Sequence, residues 1–306
     1  MIKYQAMAKP QPAKQKPSGK SLKKIIENRT FIVASRCFVM LVVLILVAII
    51  YYTKVYSDPQ RTFWAMVDNN LATNGVTKQT TQQGLAGSTD SITQLVFNPA
   101  ARVHYIKKVT DKSTKPSSHL TLEGIGTVQA DYQRYSFIDR PGSTSNYSSI
   151  YNLWLKGDQP TLFGNTVFGA ILFGNLRQPQ RTDIVNKLRD AYQVEQDTTA
   201  RQISARTHTY SVTVSLQKYA IAARAYAKVL GLPDADKITP DAYQPTDRAQ
   251  LVVNVDILSR QLTKIEYKNS NITETYVSYG VSSTVNPPEK TVSNQQFSSA
   301  LNSIKN

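Results

Sequence analysis

Sixteen consecutive residues without a charge, Cys37 to Tyr52 (CFVMLVVLILVAIIYY), constrain this chain more than any other feature. A run that apolar has no polar side to offer water, and two basic flanks make a soluble core helix a poor alternative to a bilayer span. At ~1.5 Å rise per residue the run covers about 24 Å, and Arg36 and Lys54 lengthen it by snorkelling toward the edges of a ~30 Å hydrocarbon layer. Phe38, Leu41, Leu44, Leu46 and Ile49 are its anchoring side chains, and Tyr51, Tyr52 and Tyr56 fall where interfacial tyrosines belong. Before the run, nine Lys and Arg stand against Glu27 alone. The positive-inside rule therefore predicts a cytoplasmic N-terminus and an extracytoplasmic location for everything after Lys54.

A cleaved signal peptide would need a shorter basic segment, an apolar region of about 7–15 residues and a small-residue cleavage site. Here 36 residues precede the run, and it exits into Tyr51-Tyr52-Thr53-Lys54. A lipoprotein signal fails too, since Cys37 precedes the apolar run. The expected organisation is a disordered basic cytoplasmic tail at 1–36, an uncleaved transmembrane signal anchor at 37–53, an extracytoplasmic domain at 54–281, and a polar C-terminal tail at 282–306 carrying a short amphipathic helix. The Pro- and Lys-rich tail lies against anionic lipid, at ~1 kcal/mol per cation. Its Gly19-Lys20-Ser21 lacks the upstream glycine and the strand of a phosphate loop.

The outer part must be stabilised by packing alone, because Cys37 is the chain's single cysteine. Three histidines, His104, His119 and His208, complete the inventory, so no Cys/His metal site can be assembled and no cofactor is expected. Asp58 and Pro59 open a helix to about Ala72 whose Phe63, Met66, Val67 and Leu71 share a stripe. Strand-like alternation follows at 92–97, 103–106, 120–128, 132–138 and 150–155, with turns at Asn98-Pro99 and Pro141-Gly142. Thr182 caps a helix bearing Ile184, Leu188 and Tyr192, and Leu216 to Leu230 forms another. A strand around Tyr210, Val212 and Val214, then 251–257, 262–267 and 272–279, read as antiparallel neighbours. The class is α+β.

This order of elements, with its closing VNVDILSRQLTKIEY and ITETYVSYG hairpin over Val253 to Tyr279, resembles the lipoprotein-carrier superfamily across about residues 58–280. That superfamily comprises the periplasmic lipoprotein carriers and the lipid-binding envelope lipoproteins of mycobacteria. The resemblance implies a bacterial envelope protein: a curved, mainly antiparallel half-barrel sheet, covered by helices and holding acyl chains in an apolar cavity. It implies a lipid or lipoprotein as ligand, although a transmembrane tether departs from the family pattern and argues against shuttling.

Catalytic signatures are thin. Ser215-Leu-Gln-Lys218 has the spacing of serine acyl-transfer enzymes without their companion motifs, so Ser215 reads as a helix cap. No histidine stands near a nucleophile elbow, and Gly124-Ile-Gly126 lacks the third glycine of a dinucleotide loop and reads as a bulge. Asp234 and Asp236 lack the other ligands of a calcium loop. Asn146-Tyr-Ser148 and Asn271-Ile-Thr273 match a glycosylation pattern that acts only in a eukaryotic secretory pathway. The protein is expected to bind rather than catalyse.

One segment stands above background: Phe163-Gly164, Phe168-Gly169 and Phe173-Gly174 repeat at an interval of five, which fits neither helical nor strand periodicity. It reads either as buried irregular structure or as an apolar lid, with Phe163, Phe168, Ile171 and Phe173 as the candidate ligand-binding residues. The expected partners are the membrane lipid bilayer, a lipid or lipoprotein ligand, and anionic envelope polymers drawn by the net +7 of residues 54–306. The cations are too scattered for specific nucleic-acid binding. The alternative is a structural or interaction subunit of a surface assembly without a small ligand.

Replacing Leu44 and Leu46 with Arg adds ~2.5–3.5 kcal/mol of insertion cost per charge. Membrane fractionation should then find the variant released or mislocalised; a variant that stays in the membrane pellet contradicts the anchor assignment.

Overall fold

The computed structural model describes residues 20–53, 58–157, 159–197, 206–280 and 284–304, with residues 20–31 described by backbone alone. The expected tail at residues 1–19, together with Lys54 and Tyr56, lies outside the described residues. The chain divides into two compact units, Met1–Tyr56 and Ser57–Asn306.

In the first unit, helix α1 runs from Lys20 to Tyr51, so the helix begins well inside the segment expected to be disordered. Its stretch Ile32–Tyr51 is long and apolar enough to cross a membrane. Twenty residues span about 30 Å, which removes the shortfall of the sixteen-residue run. Its apolar side chains are spread evenly around the helix, and every described side chain from Ile32 to Thr53 is exposed within its own unit.

The second unit opens with helix α2, Pro59–Ala72, where the Asp58 side chain accepts from Arg61 N at 2.7 Å and Pro59 occupies the first turn. Five long strands follow: β1 Gly75–Gly84, β2 Gly87–Val96, β3 Arg102–Asp111, β4 Ser118–Thr127 and β5 Asp131–Asp139. After the short strand β6, Leu155–Lys156, come helices α3, Thr161–Val167, and α4, Gln178–Ala191. Strands β7 Tyr192–Gln196 and β8 Thr207–Ser215 lead into helix α5, Leu216–Leu230. The chain closes with β9 Arg248–Asp256, β10 Gln261–Tyr267, β11 Ile272–Val277 and helix α6, Asn294–Ile304.

All eleven strands form one open, curved sheet in the order β6-β5-β4-β3-β2-β1-β11-β10-β9-β8-β7. Every neighbouring pair is antiparallel, as the α+β half-barrel reading requires. Because β1 pairs with β11, the first and last long strands meet in mid-sheet. Lys78 and Glu274 bond across that seam at 2.8 Å, both largely buried, and Tyr276 Oη donates to the same carboxylate at 2.6 Å. One continuous core lies on the helix-covered face, where Phe63, Met66 and Leu71 of α2 meet Ile184 and Leu188 of α4, Tyr210 and Val212 of β8, and Val253 of β9.

Several boundaries differ from the sequence expectation. Strand β1 was not expected, since Thr-Lys-Gln-Thr-Thr-Gln-Gln shows no apolar alternation; neighbours on both edges, not a buried face, hold it in place. Thr182 is not the cap of α4: the helix starts at Gln178, and Arg177 N donates to the Gln180 side chain at 3.0 Å. Tyr192 belongs to β7 and not to that helix. The expected strand at 150–155 is a 3-10 turn at Ser148–Ile150 followed by β6. Gly124 and Gly126 keep regular register, and the β4–β5 irregularity falls at Thr121/Leu122 instead. What requires these glycines is close approach, because a Cβ at Gly124 would strike the Tyr105 ring at 2.0 Å and one at Gly126 would crowd Phe163 N at 3.0 Å. Residues 292–297 are packed: Val292 N donates to Trp154 O at 2.8 Å, and Phe297 of α6 stacks on Tyr135 at 6.0 Å.

Substituting Lys78→Met strands a buried carboxylate and should destabilise the fold by ~3–5 kcal/mol, whereas Lys78→Met with Glu274→Leu together should cost far less. Melting of the full-length chain in maltoside micelles measures both; equal losses would contradict the seam's role.

Candidate functional site

The Phe-Gly segment supplies the frame of the site. From Phe168 to Arg177 the chain has no regular secondary structure, so its backbone groups need partners from elsewhere. Tyrosine hydroxyls provide several. Tyr219 Oη donates to Gly169 O at 2.6 Å, Tyr192 Oη to Ala170 O at 2.5 Å, and Tyr226 Oη to Phe173 O. Burial pushes all three hydroxyls above their ordinary range, so they remain donors throughout physiological pH. On the other side, Gly174 N and Leu176 N donate to Asn70 O and Leu71 O at the end of α2, at 3.1 and 2.9 Å. The segment is thereby strapped between α2 and α5.

The four candidate residues separate on this frame. Phe163, Ile171 and Phe173 are buried in the main core, and Phe173 stacks on Tyr276 at 5.2 Å. Phe168 is half-buried, meets Tyr226 edge-on at 5.9 Å, and lines a cavity of about 480 Å³. The five-residue interval thus places alternate phenylalanines in different surroundings.

That cavity lies between α3, α5 and the turns at 232–243. Ala220, Ala223 and Ala227 recur at i, i+3 and i+7 on α5, and their small side chains leave the room that Leu232, Ile238 and Phe168 enclose. Gly164 also lines it, and a Cβ there would meet nothing within 4 Å. Polar groups sit at the margin: Gln159, Asn165, Lys237 and Tyr243. Lys237 bonds Asp234 at 3.0 Å, and Asp236 pairs with Lys228 at 2.6 Å, so both carboxylates of the weak calcium motif hold lysines. Periodicity in α5 signalled a helix, but the alanine stripe signalled no cavity, because what faces it comes from α3 and the 232–243 turns.

The other singled-out residues have structural partners. His104 bonds Glu123 at 2.8 Å, and Arg134 reaches the same carboxylate at 2.6 Å. Burial alone would raise the Glu123 carboxyl, but these two partners outweigh it and hold it below the usual range. His119 Nδ1 lies 3.3 Å from Thr110 Oγ1, and His208 Nδ1 lies 3.1 Å from Gln196 Nε2. Ser215 precedes α5 in extended conformation, yet its side chain makes no cap hydrogen bond. The anchor candidates Phe38, Leu41, Leu44, Leu46 and Ile49 all lie on α1 with exposed side chains.

Truncating Phe163 to Ala should cost ~3–5 kcal/mol, as a buried aromatic does, whereas Phe168→Ala, on a cavity wall, should cost distinctly less. Thermal melts of the two full-length variants give the comparison, and equal losses would remove Phe168 from the cavity wall.

No protein-family model matches the chain, and no curated protein matches it. Among solved structures, the chain is similar to the crystal structure of LprF from Mycobacterium bovis, with 12% identity, 75% of this chain and 96% of LprF covered, and a TM-score of 0.39.

Proposed function

We propose that this chain is a membrane-anchored, extracytoplasmic binding module of the cell envelope that holds an acyl chain of a lipid or lipoprotein in the cavity between α3 and α5. The observation that carries this reading is the cavity: about 480 Å³, with Phe168, Ala223, Ala227, Leu232 and Ile238 in its wall and polar groups at its margin. Its size falls within the ~300–1,000 Å³ of small-ligand pockets, which are mostly apolar with a few polar groups that fix orientation. Each methylene transferred from water into such a space contributes ~0.8 kcal/mol, so a short stretch of acyl chain suffices for useful affinity. Anchoring is supported by α1, and the eight Lys and Arg before Ile32 favour a cytoplasmic N-terminus. On this reading the role is binding: Lys237 pairs with Asp234 at the margin and the Tyr219 hydroxyl donates to Gly169 O.

The test uses Gly164→Leu, since Gly164 lines the cavity and a Cβ there meets nothing within 4 Å. Lipid extracted from the purified full-length chain is quantified by mass spectrometry. Wild type should carry an amphiphile that the variant retains at roughly tenfold lower occupancy, a difference of ~1.4 kcal/mol, at unchanged melting temperature. Identical lipid content in the two proteins would overturn the acyl-binding role and favour an interaction subunit without a small ligand.

A further inference from the structure

A second pocket, of about 360 Å³, lies between α2 and α4. On α2 its wall is Arg61, Trp64, Ala65 and Asp68; on α4 it is Thr182, Val185, Asn186 and Arg189, and both sets follow the spacing i, i+3, i+4, i+7 that aligns side chains along one helix face. Arg260, from the β9–β10 turn, completes it. Three guanidinium groups therefore line one groove. Its single carboxylate, Asp68, is held by Arg181 at 2.9 Å.

Arg189 stands in the last turn of α4, where the helix dipole favours a cation, whereas Arg61 and Arg260 sit where local chemistry does not favour them. Arg61 stands in the first turn of α2, which contains no acidic residue, where the helix dipole favours an anion over a cation. Arg260 adopts φ of 51°, a left-handed conformation unfavourable to a side chain with a Cβ, while its carbonyl accepts from Asn69 Nδ2 at 3.3 Å. Arg189 Cζ lies over the Trp64 ring, 4.6 Å from its centroid, a cation–π contact that places its donors at the groove.

We propose that this groove binds a phosphoryl anion. Planar guanidinium forks match phosphate oxygens bidentately, those of Arg61 and Arg189 balance the charge of a phosphate ester, and the Asn186 amide adds an uncharged hydrogen-bonding group. The site is separate from the acyl cavity, so it stands whether or not that cavity is occupied. The same chemistry is offered by an anionic lipid headgroup and by a soluble phosphate ester.

The test is calorimetric titration of the full-length chain in uncharged maltoside micelles, at fixed ionic strength set with chloride, with sn-glycerol 3-phosphate and with dioctanoyl phosphatidylglycerol as probes. At least one probe should bind saturably, and Arg61→Gln and Arg189→Gln should each weaken it by about tenfold, the loss of one charge-assisted contact. Arg189→Lys should recover only part of that loss, since a point charge replaces the stacked fork. Tighter binding of the lipid identifies a headgroup, and equal binding identifies the phosphate ester itself; either upholds the site. If a glutamine variant fails to fold, wild-type melting decides: phosphate should stabilise the chain beyond chloride at equal ionic strength. Absence of binding by both probes, affinity unchanged in the variants, or equal stabilisation by phosphate and chloride would overturn the proposal.

Discussion

An irregular apolar segment can cross a protein core only if its backbone is satisfied there, and in this fold buried tyrosines do much of that work. Tyr192, Tyr219 and Tyr226 come from β7 and α5, and their hydroxyls end on three carbonyls between Gly169 and Phe173. A buried carbonyl without a partner costs ~1–3 kcal/mol, so loss of the three donors would remove a sizeable share of the stability of an ordinary domain. The strap fixes α3 on one side and the Leu71 end of α2 on the other. The cavity owes its position to the same arrangement, since Phe168 is held at its wall by the bonds that flank it.

Aromatic stacking continues that frame across the molecule. Trp64, Tyr192 and Tyr219 stack in succession, at 6.2 Å and 6.2 Å between ring centroids. Trp64 belongs to the wall of the arginine-lined groove, and Tyr219 to the wall of the apolar cavity. The seam between β1 and β11 plays the corresponding part in the sheet, where the Lys78–Glu274 pair joins the strands that begin and end the long meander.

The helices and the closing strands were largely legible in the sequence, because each buries one face and so leaves its period in the order of residues. Helix α5 was read from Leu216 to Leu230, as found, and α2 to within one residue. Strand β1 was not legible, since a strand held by hydrogen bonds on both edges needs no apolar alternation. The polar first turn of α4 was missed for a related reason: Gln178 to Arg181 contribute no apolar stripe. The Phe-Gly repeat marks the segment that borders the cavity but does not separate Phe168 from Phe163 and Phe173. Their difference depends on Tyr226 and on α5, which lie some fifty residues away in sequence. The arginine groove left no motif at all, because Arg61, Arg189 and Arg260 are brought together only by the fold.

The central claim is that an acyl chain lies between α3 and α5, and photolabelling reads its position directly. Full-length protein in membranes is exposed to palmitate carrying a diazirine near its methyl end, irradiated, digested and mapped. Label concentrated in peptides covering Thr161–Phe168 and Tyr219–Leu232 is the result this account predicts. Label confined to the apolar helix at Ile32–Tyr51, with none on those two peptides, would contradict it.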